Sequence, residues 1–218
     1  MGKLRTSLAG IVLGVVLMGS PPIVSSQVLT TENFLGVNHS GLRERYDVMD
    51  KKFGVGEGNF ALILNGQEQR LYVVYGRDNS FYVYKHYGVS TGKRGFGNAF
   101  GSEKTPLGVH RINVKRGDNA GVGSIFVGGN NTGRVARITQ SEKDSSQALL
   151  LTRVLGIGGC DSLNSNSSDR GIFIHGTNKE GSIGRPDSGG CIRMRNEDIV
   201  ELYSLVREGT YLDIVKSF

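Results

Sequence analysis

The sequence is poor in cysteine and in paired metal ligands: two of its 218 residues are cysteine and four are histidine. It contains no C-x-x-C or H-E-x-x-H spacing, which argues against a zinc site built from His175, Cys160 and Cys191. A chain of this length buries roughly 70% of the surface that its unfolded state exposes, so it needs neither a metal nor a disulfide in order to fold. We therefore expect no metal and no other cofactor, and both thiols are available for chemistry.

Signals for nucleotide and nucleic-acid binding are also missing. The stretch GVSTGKRG has one residue too few after Gly88 for a phosphate-binding loop, and Arg94 stands where Ser or Thr would hold magnesium. The formal net charge is +6, but the basic residues are scattered and form no stripe flanked by aromatic residues. We expect no nucleic-acid partner, whereas a basic protein favours anionic polymers such as cell-wall material.

Long apolar runs are missing apart from one near the N-terminus. The uncharged run from Leu8 to Met18 follows Lys3 and Arg5 and precedes small residues that end at Ser26. This is the three-part pattern of a secretory signal peptide, and the run is short for a membrane span, although an uncleaved anchor remains an alternative. We therefore expect a protein of the periplasm or the cell envelope.

The length and composition fit a single globular domain after this signal. We predict a signal peptide over residues 1–26, an N-terminal leader over 27–59 and one domain over 60–218. That domain is predicted to be mainly β, because 33 glycines separate short runs of β-branched and aromatic residues. Asn65-Gly66 and Arg77-Asp78-Asn79 predict two hairpin turns. The predicted strands are FALIL, LYVVY, FYVYKHYGV, GVHRINV, SIFV, RVARITQ, ALLLTRVLGI, GIFIH and TYLDIV.

Two helices are predicted. A short one spans Gly41 to Phe53, with Ser40 as its cap, and is expected to pack onto the main domain. The second begins after Asn196, which is a good capping residue, and ends before Gly209. Its apolar face would consist of Ile199, Leu202, Tyr203 and Val206.

The stretch SGGCIRM places Cys191 in a glycine-rich passage between the strand GIFIH and the second helix. A thiol is only a few per cent ionised at neutral pH and needs a base, for which His175 at the end of GIFIH is the candidate. Gly189 and Gly190 lack a Cβ, so the amides of Gly190 and Cys191 would be able to stabilise a developing oxyanion. Two alternatives stay open: the glycines serve only a tight turn, or Cys191 forms a disulfide with Cys160.

The segments GIFIHGTN and IGRPDSGGCIRM resemble the active-site motif of the L,D-transpeptidase catalytic domain (YkuD) family. VSTGKRGFGNAFGSEKTPLGVHRI resembles the STG and TP-G segments of that family, and LLTRVLGI resembles the strand before its site. The resemblance runs in order from about Phe60 to Val215. It implies the mainly β, sandwich-like mixed sheet of that family, with one helix after the catalytic cysteine.

The resemblance also implies roles for individual residues. Cys191 would be the nucleophile and His175 the general base, and the carbonyl of Gly176 would hold the other ring nitrogen. Arg193 would bind substrate or fix the loop, and Ser188 would donate a hydrogen bond within the site; a purely structural role is equally compatible with either residue.

One position departs from the family pattern. Most members have SHGC where this chain has Ser188-Gly189-Gly190-Cys191, so a second histidine is missing. Because the upstream histidine that usually serves as base is present, activity is expected to survive. Any orienting or electrostatic help from the lost imidazole is in question.

The implied substrate is a peptidoglycan stem peptide. The cysteine would attack the bond between the diamino acid and the terminal D-alanine of a tetrapeptide, and the acyl group would pass to an amine of a second stem peptide or of an outer-membrane lipoprotein. Hydrolysis of the same acyl-enzyme, as in an L,D-carboxypeptidase, is one alternative, and a non-catalytic wall-binding module is another. We expect a monomer.

Overall fold

Residues 39–141 and 147–218 are described by a computed structural model, in which they form one compact unit. The predicted signal peptide, residues 1–26, and the first part of the predicted leader, residues 27–38, lie outside this description. Among the described residues, no helix is both long and apolar enough to cross a membrane.

The described residues form a mainly β fold, as predicted, with ten strands in one sheet. The sheet order is β4-β10-β1-β2-β3-β9-β8-β7-β5-β6. Because β4 pairs with both β10 and β7, eight strands close on themselves and the β5–β6 hairpin extends from β7. The strands are β1 (Ala61–Asn65), β2 (Arg70–Arg77), β3 (Ser80–Ser90), β4 (Gly108–Arg116), β5 (Ser124–Val127), β6 (Asn130–Val135), β7 (Leu150–Gly159), β8 (Phe173–Gly176), β9 (Ile192–Met194) and β10 (Tyr211–Val215).

Strand β1 is buried on both faces, which explains its continuous apolar sequence. Leu62 and Leu64 join the larger core cluster, which also includes side chains of helix α2 (Asn196–Leu205). Ala61 and Ile63 face the opposite way, into a smaller cluster beneath helix α1 (His39–Phe53). Both predicted hairpin turns are confirmed, since β1 pairs with β2 and β2 with β3 in antiparallel fashion.

Helix α1 packs on the sheet through Leu42, Tyr46 and Met49, all of which are buried. Its Arg45 also donates through Nε to the buried carboxylate of Asp213 on β10, at 2.6 Å. The described part of the helix starts at His39 and includes Ser40, so Ser40 lies within the helix and not at the capping position that the sequence predicted.

Two strand predictions need correction. The predicted strand RVARITQ overlaps β6 only at its start, because the turn at Gly128 and Gly129, both with positive φ, pairs Val127 with Asn130 and so places β6 earlier in the chain. The second correction concerns the passage after Cys191, which contains the three-residue strand β9. Such a short strand is stabilised by its central place between β3 and β8, which local sequence does not reveal.

Helix α2 buries Ile199, Leu202 and Tyr203, as predicted. The prediction that Asn196 caps it is wrong, because Asn196 is the first residue of the helix. The carboxylate of Glu180 caps it instead and accepts a hydrogen bond from the Asn196 amide at 2.7 Å. A carboxylate at this end is favoured by the positive end of the helix dipole. The helix ends at Leu205, which is earlier than the end just before Gly209 that the sequence predicted.

His110 is a packing residue on β4 and is fully buried. Its Nδ1 contacts the Gly108 carbonyl at 2.8 Å, and its Nε2 contacts the Ser167 hydroxyl at 2.9 Å. Burial lowers the pKa of His110 to about 4, although the bond to Gly108 opposes this effect. The ring is therefore neutral in the folded protein at neutral pH.

His110 should make folding stability depend on pH. As pH falls, a histidine in the unfolded chain, with a pKa of about 6.5, binds a proton before the buried His110 does. The contribution of the neutral His110 ring to folding stability is therefore complete above about pH 6.5 and is lost as pH falls towards 4. Between pH 7 and pH 4 we expect the natural chain to lose about 2–3 kcal/mol more unfolding free energy than the variant His110→Gln. Urea denaturation at both pH values measures this difference, and equal losses contradict it.

Candidate active site

The register between β8 and β9 sets the relative positions of the candidate nucleophile and base. The two strands are parallel neighbours, with Ile174 opposite Ile192 and His175 opposite Arg193. Side chains alternate along a strand, so His175 and Arg193 point to the face opposite the core residues Ile174 and Ile192. Cys191 directly precedes β9, and an extended chain at this position would carry its side chain to the same face as His175. Cys191 lies two residues before Arg193, the partner of His175, and one strand away from it. Standard strand spacings then put the Cα atoms of Cys191 and His175 roughly 8 Å apart, a separation that an imidazole side chain spans.

His175 lies at the end of β8 with 3% of its surface exposed. Its Nδ1 is 2.7 Å from the carbonyl oxygen of Gly176. A carbonyl only accepts hydrogen bonds, so Nδ1 carries the proton and Nε2 keeps its lone pair. Burial lowers the pKa of His175 to about 4; the Gly176 carbonyl opposes the shift and the charge of Arg193 adds to it. At neutral pH the ring is thus a neutral base.

Cys191 is half-buried, and its Sγ donates to the Gly171 carbonyl at 3.5 Å. Burial raises the pKa of the Cys191 thiol, while the Phe173 backbone and the charge of Arg193 lower it to a smaller extent. The resting sulfur is therefore a thiol, and an ionised sulfur forms only when a base removes the proton.

Cys160 is also a free thiol, so the disulfide alternative is not found. It lies after β7 and packs against the cluster beneath α1, and burial raises the pKa of the Cys160 thiol. Among the described residues, no group of three or more His, Cys, Asp or Glu side chains is arranged to hold a metal ion.

Ser188 closes the turn that leads to Cys191. Its hydroxyl donates to the Cys191 carbonyl at 2.5 Å and accepts from the Gly190 amide at 3.1 Å. The expectation that the Gly190 amide faces an oxyanion is therefore corrected, since Ser188 already occupies it. The amide of Cys191 is the remaining candidate of the expected pair.

Gly190 is required by the backbone at this turn. Its φ is +116°, and an added Cβ would lie 3.1 Å from the Lys104 carbonyl oxygen. Its own carbonyl accepts from the Thr105 hydroxyl at 2.9 Å, and that hydroxyl accepts from the Gly92 amide at 2.8 Å. The STG and TP-G segments, which contain Gly92 and Thr105, thus support the turn that holds the cysteine.

Gln69 is a supporting residue that the sequence does not reveal, because a polar residue in a hairpin turn usually faces solvent. Its side chain accepts from the Thr91 amide and donates to the Thr91 hydroxyl, both at 2.8 Å. The Thr91 carbonyl in turn accepts from the amides of Asp187 and Ser188, each at 2.9 Å. The loop before Cys191 is therefore attached to the β1–β2 hairpin.

Arg193 is almost fully buried, and its guanidinium donates to Asp187 at 2.9 Å. Asp187 belongs to the loop that precedes Cys191. Of the two roles that the resemblance implied, this contact supports fixing the loop, with the positive charge held beside His175.

The two glycines before Cys191 should respond differently to substitution. A Cβ at Gly189 meets nothing within 4 Å and its φ is not positive, whereas Gly190 combines a positive φ with a backbone contact. We expect Gly189→His to change the unfolding free energy by less than about 0.5 kcal/mol and Gly190→Ala to lower it by about 1–3 kcal/mol. Urea denaturation measures both. Similar losses for the two variants would show that the turn is not arranged in this way.

Comparisons with known proteins agree with the family resemblance. The "Putative L,D-transpeptidase YkuD" of Bacillus subtilis (strain 168) is 56% identical over 41 residues, which is 19% of this chain and 25% of that protein. The "Probable L,D-transpeptidase YcfS" of Escherichia coli (strain K12) is 44% identical over 48 residues, 22% of this chain and 15% of that protein. These matched segments span a quarter or less of the relatives' length.

Solved structures and a family model complete the comparison. An L,D-transpeptidase from Mycobacterium smegmatis has a TM-score of 0.46 at 16% identity, covering 72% of this chain and 58% of its own. The family model described as the L,D-transpeptidase catalytic domain, YkuD, matches residues 59–215. Since this match covers well over half of the sequence, the chain belongs to the L,D-transpeptidase catalytic domain family.

Proposed function

We propose that this protein is a cysteine acyltransferase that acts on peptidoglycan stem peptides, with Cys191 as nucleophile and His175 as general base. One observation carries the proposal. The imidazole is neutral with its proton on Nδ1, and the thiol of Cys191 directly precedes the parallel strand β9, which pairs with the strand of His175. A nucleophile, an adjacent base and a third group that orients the base are the parts that covalent acyl transfer requires.

The first half-reaction forms a thioester. The Cys191 sulfur turns from the Gly171 carbonyl towards Nε2 of His175, which takes the thiol proton as sulfur bonds to the carbonyl carbon of the stem peptide. The amide of Cys191 stabilises the oxyanion. When the intermediate collapses, the carbon–nitrogen bond breaks and the imidazolium returns its proton to the departing amine of D-alanine.

The second half-reaction reverses these steps with a new amine. The amine attacks the thioester and loses a proton to Nε2 of His175. The carbon–sulfur bond then breaks and the sulfur of Cys191 recovers that proton, which restores the resting pair. Water in place of the amine gives hydrolysis, so transfer and hydrolysis depend on the same two residues.

The family acts on peptidoglycan peptides, and this suits a basic protein directed to the cell envelope. We place the chain there on the basis of the signal-like pattern in residues 1–26. The donor we propose is a stem tetrapeptide cleaved at the bond between its diamino acid and D-alanine. The acceptor is an amine of another stem peptide or of an outer-membrane lipoprotein.

The proposal predicts which variants lose turnover. Incubated with a mixture of peptidoglycan fragments, the natural chain should yield cross-linked dimers, which mass spectrometry identifies. Cys191→Ala should yield none, because no thioester forms, and His175→Ala should be about 10²–10⁴-fold slower, because it lacks the base.

Cys160→Ala is the matched control, since it removes the other thiol and should keep full activity. Trimmed tripeptides without dimers would identify a carboxypeptidase that uses the same acyl-enzyme. Turnover by Cys191→Ala, or complete inactivity of the natural chain with donor and amine supplied, would contradict the proposal.

A further inference from the structure

Asn196 lies at the centre of a buried hydrogen-bond network next to His175. Its side-chain Nδ2 donates to the Thr177 carbonyl and to Glu180, both at 2.7 Å, and its Oδ1 accepts from the Thr152 hydroxyl at 2.5 Å. Only 1% of the residue is exposed. Both N–H donors and the oxygen of the side-chain amide are therefore hydrogen-bonded. These bonds link the start of α2 to β7 and to the chain that follows β8.

The amide of Asn196 also contacts the backbone that orients the imidazole. A Cβ added to Gly176 would lie 2.4 Å from Asn196 Oδ1 and 2.9 Å from the Leu151 carbonyl oxygen. Only glycine permits this approach. The carbonyl of Gly176 is the acceptor for Nδ1 of His175. The Gly176–Thr177 segment therefore contacts Asn196 through Thr177 and orients the imidazole ring through Gly176.

The partner strand is distorted where it meets this network. Thr152 has a φ of +69°, and the β7–β8 pairing shifts register between Leu151 and Val154, which lie opposite Gly176 and His175. A β-branched residue rarely adopts this conformation. Strained backbone of this kind persists where the surroundings fix it, and it is common at functional sites.

Glu180 completes the network from the other side. Its carboxylate accepts from the backbone and the side chain of Asn196 and from Gln140 Nε2 at 2.6 Å. Glu180 therefore fixes the rotation of the Asn196 amide, with Nδ2 towards Thr177 and Oδ1 towards Thr152.

We propose that Asn196 is a positioning residue that holds the Gly176–Thr177 segment, so that the Gly176 carbonyl keeps the proton on Nδ1 of His175 and leaves Nε2 free to face Cys191. Its importance for turnover rests on the proposed function. Its effect on the ring is independent of that function and is measured without any substrate.

Nitrogen NMR of the full-length chain with ¹⁵N-labelled histidine tests the proposal. The natural chain should show His175 with a protonated Nδ1 and an unprotonated Nε2, the signals being assigned by their loss in His175→Gln. In Asn196→Ala the two nitrogens should shift towards each other as both tautomers become populated. Thioester formation should slow at least tenfold at saturating donor, with the half-saturating donor concentration unchanged.

Asn196→Asp separates this role from the start of α2. Aspartate has nearly the same shape, suits the first turn of a helix and still accepts from Thr152, but it does not donate to Thr177. Its tautomer signals should resemble those of Asn196→Ala. The double variant Asn196→Asp/Glu180→Gln removes the repulsion between the two carboxylates and should behave in the same way, which keeps the test valid if the single variant folds poorly.

Asn164→Ala is the matched control. Asn164 is equally buried and donates to the Leu107 and Val109 carbonyls, away from Gly176. It should lower stability and leave the His175 signals unchanged. Unchanged signals in the folded Asn196 variants, or an equal change in Asn164→Ala, would overturn the proposal. Changed signals with no effect on turnover would leave the positioning role intact and contradict the catalytic one.

Discussion

The parallel pairing of β8 with β9 is the constraint on which the site depends. It aligns His175 with Arg193, which lies two residues after Cys191, so an extended chain at Cys191 would carry the thiol to the face of His175. A slip of one residue would turn Cys191 and Arg193 into the core and bring Ile192 to the site. Both strands are short, so their register is held from outside: Ser188, Thr105 and Gln69 fix the chain before β9, and Asn196 fixes the chain after β8.

Burial then decides the charge state of the pair. It raises the pKa of the Cys191 thiol and lowers the pKa of the His175 imidazole, so both groups are neutral at rest. A buried ion pair would have to offset the desolvation of two charges. A neutral pair avoids that cost and becomes charged only when the sulfur attacks, at which point the carbonyl of Gly176 stabilises the imidazolium through Nδ1.

The sequence predicts those features that depend on local pattern. The β1–β3 meander follows from apolar runs and turn residues, and the buried face of α2 follows from its helical spacing. Strand β9, the cap by Glu180 and the support by Gln69 depend on residues far away in the chain, so no local pattern encodes them. The position of His175 at the end of a predicted strand proposed it as the base for Cys191, and the family resemblance implied the same pair, but the occupied amide of Gly190 required coordinates.

The pH dependence of acylation by a carbapenem tests the central claim most directly. If the reacting form is a neutral thiol beside a neutral imidazole, the limiting rate of Cys191 acylation should stay flat between pH 6 and pH 8. It should fall only as pH approaches about 4, where the pKa of His175 lies and the base becomes protonated. Intact-mass spectrometry of the Cys160→Ala variant follows this single adduct. A rate that rises about tenfold per pH unit from 6 to 8 would mean that only preformed thiolate reacts, and it would contradict general-base catalysis by His175.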